Sequence, residues 1–171
     1  MEIKDVKVRA DLPYPQIENA SKDMRTVAIL KDLLSARNGE LTAILQYTYQ
    51  SRIANLSETE IANLLEEISI VEMKHTELLM DAILSFGGDP RFDNSFGQYF
   101  TASYINYSQK LKDMLQANIR AESSAIEDYT RAIKNVQNQS LKDLFNRIIL
   151  DEQIHLEIFE KLLNSVKFLT I

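Results

Sequence analysis

The chain has 171 residues, 45% of them apolar, with no cysteine and a formal net charge of −6. That size and apolar share suit one globular domain with a buried core, and the acidic balance argues against nucleic acid or an anionic membrane as partner. Without cysteine there are no disulfides, no thiolate metal sites and no thiol redox chemistry.

The opening MEIKDVKVRADLPYP is too charged and too interrupted for a signal peptide, and no apolar run approaches membrane-spanning length. A soluble cytoplasmic protein is therefore expected. Residues 1–20 are read as an extended N-terminal segment whose docking place the sequence does not reveal.

Helical periodicity then appears four times within residues 21–166. The first run spans about Ser21 to Leu56. The second follows SETE, where Ser57 and Glu60 have capping-box spacing, and stops at Gly87-Gly88. The third covers about Ser108 to Gln137, and the fourth runs from near Ser140 to about residue 166. Runs of about 27 to 35 residues, against a mean helix of about 11 to 12, suggest a bundle.

The breaks near Leu56-Ser57 and Asn138-Gln139 are tight and imply antiparallel neighbours. The stretch GGDPRFDNSFGQYFTASYINY is different. At about 3.3 Å per residue it can reach some 70 Å, longer than the ~45 Å of a 30-residue helix. It can return along the whole bundle and make the second and third helices parallel. The fold class predicted is thus all-α, a four-helix bundle with one long crossover between helices 2 and 3. Phe92, Phe96, Tyr99, Phe100, Tyr104 and Tyr107 lead to the expectation that the crossover packs.

Each run carries a glutamate on its apolar face. Residues four and seven away share a helix face. For Glu40 these include Leu33 and Tyr47; for Glu72, Ile68 and Leu79; for Glu122, Leu115 and Tyr129; for Glu152, Phe145 and Phe159. All four lie near the middle of their runs, so they should meet at one level. Buried like charges are prohibitive without compensation, and two divalent cations would cancel four carboxylates.

The only two histidines, His75 and His155, each follow one of these glutamates by three residues, in VEMKH and DEQIH. With 14 glutamates in 171 residues that double coincidence is rare. A Glu and a His three apart project from one face about 4.5 Å apart along the axis and can reach one ion. Oxygen donors with one imidazole per metal suit Fe(II), Mn(II) or Zn(II). Glu40 to Glu72 is 32 residues and Glu122 to Glu152 is 30, so the chain reads as two related hairpins, each giving Glu plus Glu-x-x-His.

On these motifs the chain resembles the ferritin-like superfamily, most closely bacterioferritins and rubrerythrin-type proteins. GELTAILQYTY, VEMKHTELLMDAILSFGGDP, AESSAIEDYTRAI and DEQIHLEIFEKLL are similar to the four ligand helices, over about residues 26–166. The resemblance implies Glu40 and His75 as terminal ligands of one metal, Glu122 and His155 of the other, and Glu72 and Glu152 as bridges. It also implies that Asp151 orients His75 across the bundle. Val71 stands at the corresponding place before Glu72, so the two metals are expected to differ in affinity.

Departures from the resemblance shape the expectations. Rubrerythrins carry a cysteine-rich electron-delivering domain, so electrons here are expected from iron itself or a separate donor. They also carry a glutamate three residues after the third-helix ligand, where this chain has Ala125. Only VKFLTI follows the fourth helix, which weakens the case for a hollow shell. Met73 stands at the haem-ligating position of bacterioferritins, but methionine at helical spacing is usually packing material and haem is not expected.

Tyr47 and Tyr129, each seven residues after a terminal glutamate, are candidate catalytic residues that could bond the ligands or the oxidant, or else fill the core. The functional expectation is a di-metal, chiefly di-iron, carboxylate protein of ferroxidase or peroxide-reducing type acting on Fe(II) with O2 or H2O2. It is expected to form at least a homodimer. Alternatives are iron storage in a shell, a di-manganese catalase-like protein, and a non-enzymatic bundle whose polar core residues fix register.

Overall fold

The computed structural model describes residues 6–168; Met1–Asp5 and the last three residues of VKFLTI lie outside them. Among the described residues the regular structure is helical. The elements are α1 (Met24–Ser35), α2 (Glu40–Ala54), α3 (Thr59–Ser85), α4 (Leu111–Asn135) and α5 (Gln139–Phe168), with one short 3-10 turn at Ala102–Tyr104. They form the expected four-helix bundle, in which α1 and α2 together make the first helix. α2 packs on α3, and α4 on α5.

The first predicted helix is in fact two. Asp23 caps α1, its carboxylate accepting from the backbone N–H groups of Arg25 and Thr26 and from the Thr26 hydroxyl. The helix ends at Ser35, and α2 begins at Glu40. Asn38 and Gly39 are poor helix formers, and Gly39 sits hard against the last turn of α1. A Cβ there would lie 2.7 Å from the Leu33 carbonyl oxygen, so only glycine fits.

The capping box predicted for Ser57 and Glu60 is not formed. The turn leaving α2 takes up the Ser57 and Glu58 N–H groups on the Ala54 carbonyl, and Glu58 occupies the cap position without a side-chain bond. The Gly-Gly ending behaves as expected. Gly87 has φ +79°, its N–H donates to the Leu84 carbonyl, and the Gly88 N–H donates to that of Ile83.

The crossover is fastened mainly by polar contacts. Lys31 pairs with Asp93, Asp32 accepts from the Ser95 N–H at 2.8 Å, and Gln46 accepts from the Asn106 N–H at 2.9 Å. Tyr107 meets Tyr49 edge-on, and Arg37 lies over the Tyr104 ring. The expectation that all six aromatics pack is too broad, since Phe96 is 86% exposed and Tyr99 66%.

Two apolar clusters fill the bundle. One contains Leu30, Leu34, Leu79, Ile83, Tyr129, Phe145 and Ile148; the other contains Tyr47, Leu65, Ile68, Leu115, Phe159 and Leu162. On each of the four bundle helices, α1 with α2 counting as one, the stretch between the two holds a candidate glutamate, joined on α3 and α5 by a histidine. No helix among the described residues is long and apolar enough to cross a membrane.

Candidate metal centre

All six residues singled out by the sequence are buried and meet at one level. They form two groups, Glu40-Glu72-His75-Glu152 and Glu72-Glu122-Glu152-His155, with one donor atom per residue lying within 4.8 Å of the others. Glu72 and Glu152 belong to both. Each histidine turns its Nδ1 inward. His75 Nδ1 lies 3.0 Å from Glu72, 3.1 Å from Glu152 and 3.6 Å from Glu40. His155 Nδ1 lies 3.0 Å from Glu72, 3.6 Å from Glu152 and 3.9 Å from Glu122.

The outward ring nitrogens are held by different partners. His75 Nε2 is 3.1 Å from Asp151 Oδ2, and His155 Nε2 is 2.8 Å from the Val8 carbonyl oxygen. That second partner belongs to the N-terminal segment, which the sequence left without a docking place. The segment straps the back of the centre. The Ala10 N–H and the Tyr14 hydroxyl each donate to Asp151 at 2.7 Å, and the Leu12 and Ala10 carbonyls accept from Arg147. Arg147 is ion-paired with Asp151 at 2.7 Å and lies 4.3 Å above the Tyr14 ring. Against its burial, the bond to His75 and these contacts hold Asp151 down to a pKa of about 2. Burial and the bond to Asp151 push the Tyr14 phenol up to about 12.

On the front, two tyrosines cross between hairpins. Tyr47 of α2 donates to Glu122 of α4, and Tyr129 of α4 donates to Glu40 of α2. Their phenols are raised well above the ordinary value by burial and by the adjacent carboxylates. A cavity of about 180 Å³ opens here, lined by both tyrosines, Glu40, Glu122, Glu152 and Ala125. Arg37, three residues before Glu40, does not neutralise it, because the break between α1 and α2 leaves Arg37 on the surface over Tyr104. Among the described residues no lysine or arginine pairs with any of the four glutamates.

Without a cation, the cluster balances its charge with protons. Burial and the Glu152 charge raise Glu40 to about 8, and the same causes with Glu72 raise Glu122 well above its ordinary value. Burial works against ionising Glu72 and Glu152, and the Glu152 charge works against Glu72 as well, but contacts with the two imidazoles outweigh this and both are lowered. Burial favours neutral imidazoles, yet the surrounding carboxylates raise His155 to about 10 and His75 well above its usual value. Two carboxylic acids, two carboxylates and two imidazolium ions sum to zero. Four carboxylates, two neutral imidazoles and two dications also sum to zero.

The donor set fits a di-metal site. Glu72 Oε1, Glu152 Oε1 and His155 Nδ1 are buried without a hydrogen-bond partner of acceptable geometry, although His155 Nδ1 and Glu72 Oε1 lie only 3.0 Å apart. These are the atoms a cation would satisfy. The surrounding acidic residues play other parts; Glu66 pairs with Arg52 and Glu157 with Lys161 on the surface. Met73 is 44% exposed on the outer side of α3. Residues that the sequence reading missed are Val8, Ala10, Tyr14 and Arg147, together with a buried amide chain in which Gln46 donates to Asn118 and Asn118 to Gln50. Only Arg147, one turn before Asp151, carried a readable signal.

The family model described as rubrerythrin matches residues 31–163. The chain belongs to the rubrerythrin family. It is 28% identical over 149 residues to a bacterioferritin of Streptomyces coelicolor, spanning 85% of this chain and 83% of that protein. It is 22% identical over 173 residues to a probable manganese catalase of Clostridium acetobutylicum, spanning 89% and 76%. Among solved structures, KatB, a manganese catalase from Anabaena, superposes with a TM-score of 0.84 at 26% identity, covering 93% of this chain and 80% of that one. A Rhodobacter capsulatus bacterioferritin superposes at 0.76 with 25% identity, covering 87% and 89%. The ferritin-like resemblance of the motifs is thus matched by family, sequence and fold, while the relatives divide between iron and manganese proteins.

Proposed function

We propose that the chain is a dinuclear metal oxidoreductase that acts on hydrogen peroxide or dioxygen, with iron or manganese as the resident pair. Glu40 and His75 hold one ion, Glu122 and His155 the other, and Glu72 and Glu152 serve both. The observation that carries this reading is the sharing of Glu72 and Glu152 by two four-residue groups inside an otherwise apolar core. A bound pair of redox-active ions supplies the two electrons needed to cleave an O–O bond.

The chain's own contribution is positioning. Asp151 and the Val8 carbonyl fix the ring orientation of His75 and His155, so that each Nδ1 faces inward. Tyr47 and Tyr129 each fix a terminal carboxylate of the opposite hairpin. Their neutral phenols are the proton donors nearest the front cavity. The apolar clusters above and below exclude water from the level of the ions. Ala125 borders the cavity where rubrerythrins place a further carboxylate, leaving that side open.

Elemental analysis of protein purified without added metal, followed by stopped-flow mixing with H2O2 or O2, tests the proposal. Two ions per chain and oxidant consumption faster than by free metal are expected. A folded protein that takes up no iron or manganese would remove it. The manganese reading, favoured by the likeness to KatB, predicts oxygen evolution from peroxide. The storage reading, favoured by the bacterioferritin relatives, predicts a particle of many subunits in size-exclusion chromatography.

A further inference from the structure

The front cavity is the approach to the centre that the proposed reaction would use, and its mouth has an unexpected charge. Outside the cluster, its charged lining consists of Arg37, Arg120 and Asp128. Asp128 is ion-paired with Arg131 at 2.8 Å. Arg37 lies 5.0 Å above the Tyr104 ring, and neither it nor Arg120 has a carboxylate partner among the described residues. The entrance therefore carries an excess of positive charge on a chain whose net charge is −6. At about 180 Å³ the cavity is also smaller than the ~300–1,000 Å³ pockets that take drug-sized ligands.

We propose that Arg37 and Arg120 make this entrance selective by charge: it admits small uncharged oxidants and turns away divalent cations. The inference rests on the dinuclear reading above and sharpens it. The ions are residents of the centre, and iron is not a cargo passed in through the front. A dication meets two guanidinium charges at the mouth, whereas peroxide or dioxygen, having no net charge, meets no such barrier. Fields of this kind change encounter rates by about 10- to 1,000-fold at low ionic strength, and in ~1 M salt the screening length shrinks to about 3 Å.

The test follows Mn(II) uptake by the metal-free full chain in stopped flow, against a fluorescent chelator, across a range of salt. Wild-type protein should load slowly at low salt and faster as salt rises. R37E/R120E should load at least about tenfold faster at low salt and lose that advantage in ~1 M salt. R37Q/R120Q, the milder change, should fall between the two. Peroxide consumption by the loaded wild type should change less than about twofold over the same salt range. Uptake by the wild type that slows as salt rises, or equal loading by all three proteins, would overturn the charge gate. Equilibrium stoichiometry separates the two claims. Two ions per chain with unaltered loading rates sinks only the gate, whereas no bound ions sinks the centre and the gate with it.

Discussion

The back and the front of the centre are built on opposite plans. At the back, an extended strap covers the two histidines and holds them with main-chain and side-chain bonds: Val8 on His155, and Ala10 and Tyr14 on Asp151 behind His75, with Arg147 of α5 tying the strap's carbonyls to Asp151. At the front, two tyrosines steady Glu122 and Glu40, and a small cavity is left between α2 and α4. The difference teaches how one cluster can be held firmly on one side and left accessible on the other. On the proposed function, rigidity comes from the strapped side, and access from the side where Glu40 and Glu122 line the cavity.

The largest expected effect lies where front and back meet. Glu152→Ala or Glu72→Ala removes a donor from both groups, so both ions should be lost together, with activity falling more than the about 10- to 100-fold typical of outer partners. Loss of only one ion, read by elemental analysis, would mean that the carboxylate is not shared.

Breaking the back alone should have a smaller and one-sided result. Asp151→Asn weakens the support of His75 and loosens the strap, but leaves the Val8 bond to His155 in place. One ion should weaken by about 10- to 100-fold while the other is little changed. A calorimetric titration in which wild type already shows two indistinguishable sites, unaltered by the substitution, would remove the asymmetry.

The pH behaviour of the metal-free protein is a third test. Glu40 and His155 bind protons more tightly folded than unfolded, with folded values of about 8 and 10. Their contribution to stability is fully present below the ordinary values, near 4.5 and 6.5, and is lost as pH rises through 8 and then 10. Thermal denaturation of metal-free protein should therefore occur at lower temperature at pH 9.5 than at pH 6.5, and bound metal should abolish that trend. At the back, depressed Asp151 works in the opposite sense: its contribution is present above about pH 4 and lost as pH falls towards 2. Metal-free protein that is equally stable at pH 6.5 and 9.5 would contradict the proton-balanced cluster.

The smallest effect is on the strap itself. Tyr14→Phe removes one of the bonds to the Asp151 carboxylate and should cost about 1.5–3 kcal/mol, seen in denaturant unfolding. Faster hydrogen exchange at the Ala10 amide should accompany it, with both ions still bound. An unchanged Ala10 amide would mean that Tyr14 does not anchor the strap.

This contrast also explains which features the sequence made visible. The front and the centre are made of side chains on helices, where a period of 3.6 places Glu40, Glu72, Glu122 and Glu152 on inward faces and sets each histidine one turn beyond its glutamate. The equivalence of Tyr47 and Tyr129 could be seen as well, although their crossed partners required the packed bundle. The back is made by an extended segment. The carbonyl of Val8 and the N–H of Ala10 are main-chain groups that any residue would offer, so no residue type announces them. The split of the first helix escaped for a related reason. Glycine at position 39 is a poor helix former in itself, but only its contact with the Leu33 carbonyl decides that the chain turns there.

The central claim is that two dications replace four protons in a cluster that stays electrically neutral. Anaerobic calorimetric titration of the metal-free protein with Fe(II) or Mn(II) at pH 7, repeated in buffers of different ionisation enthalpy, measures both quantities at once. The account predicts two ions bound per chain and close to four protons released. Binding of two ions with no proton release, or a folded chain that binds none, would contradict it.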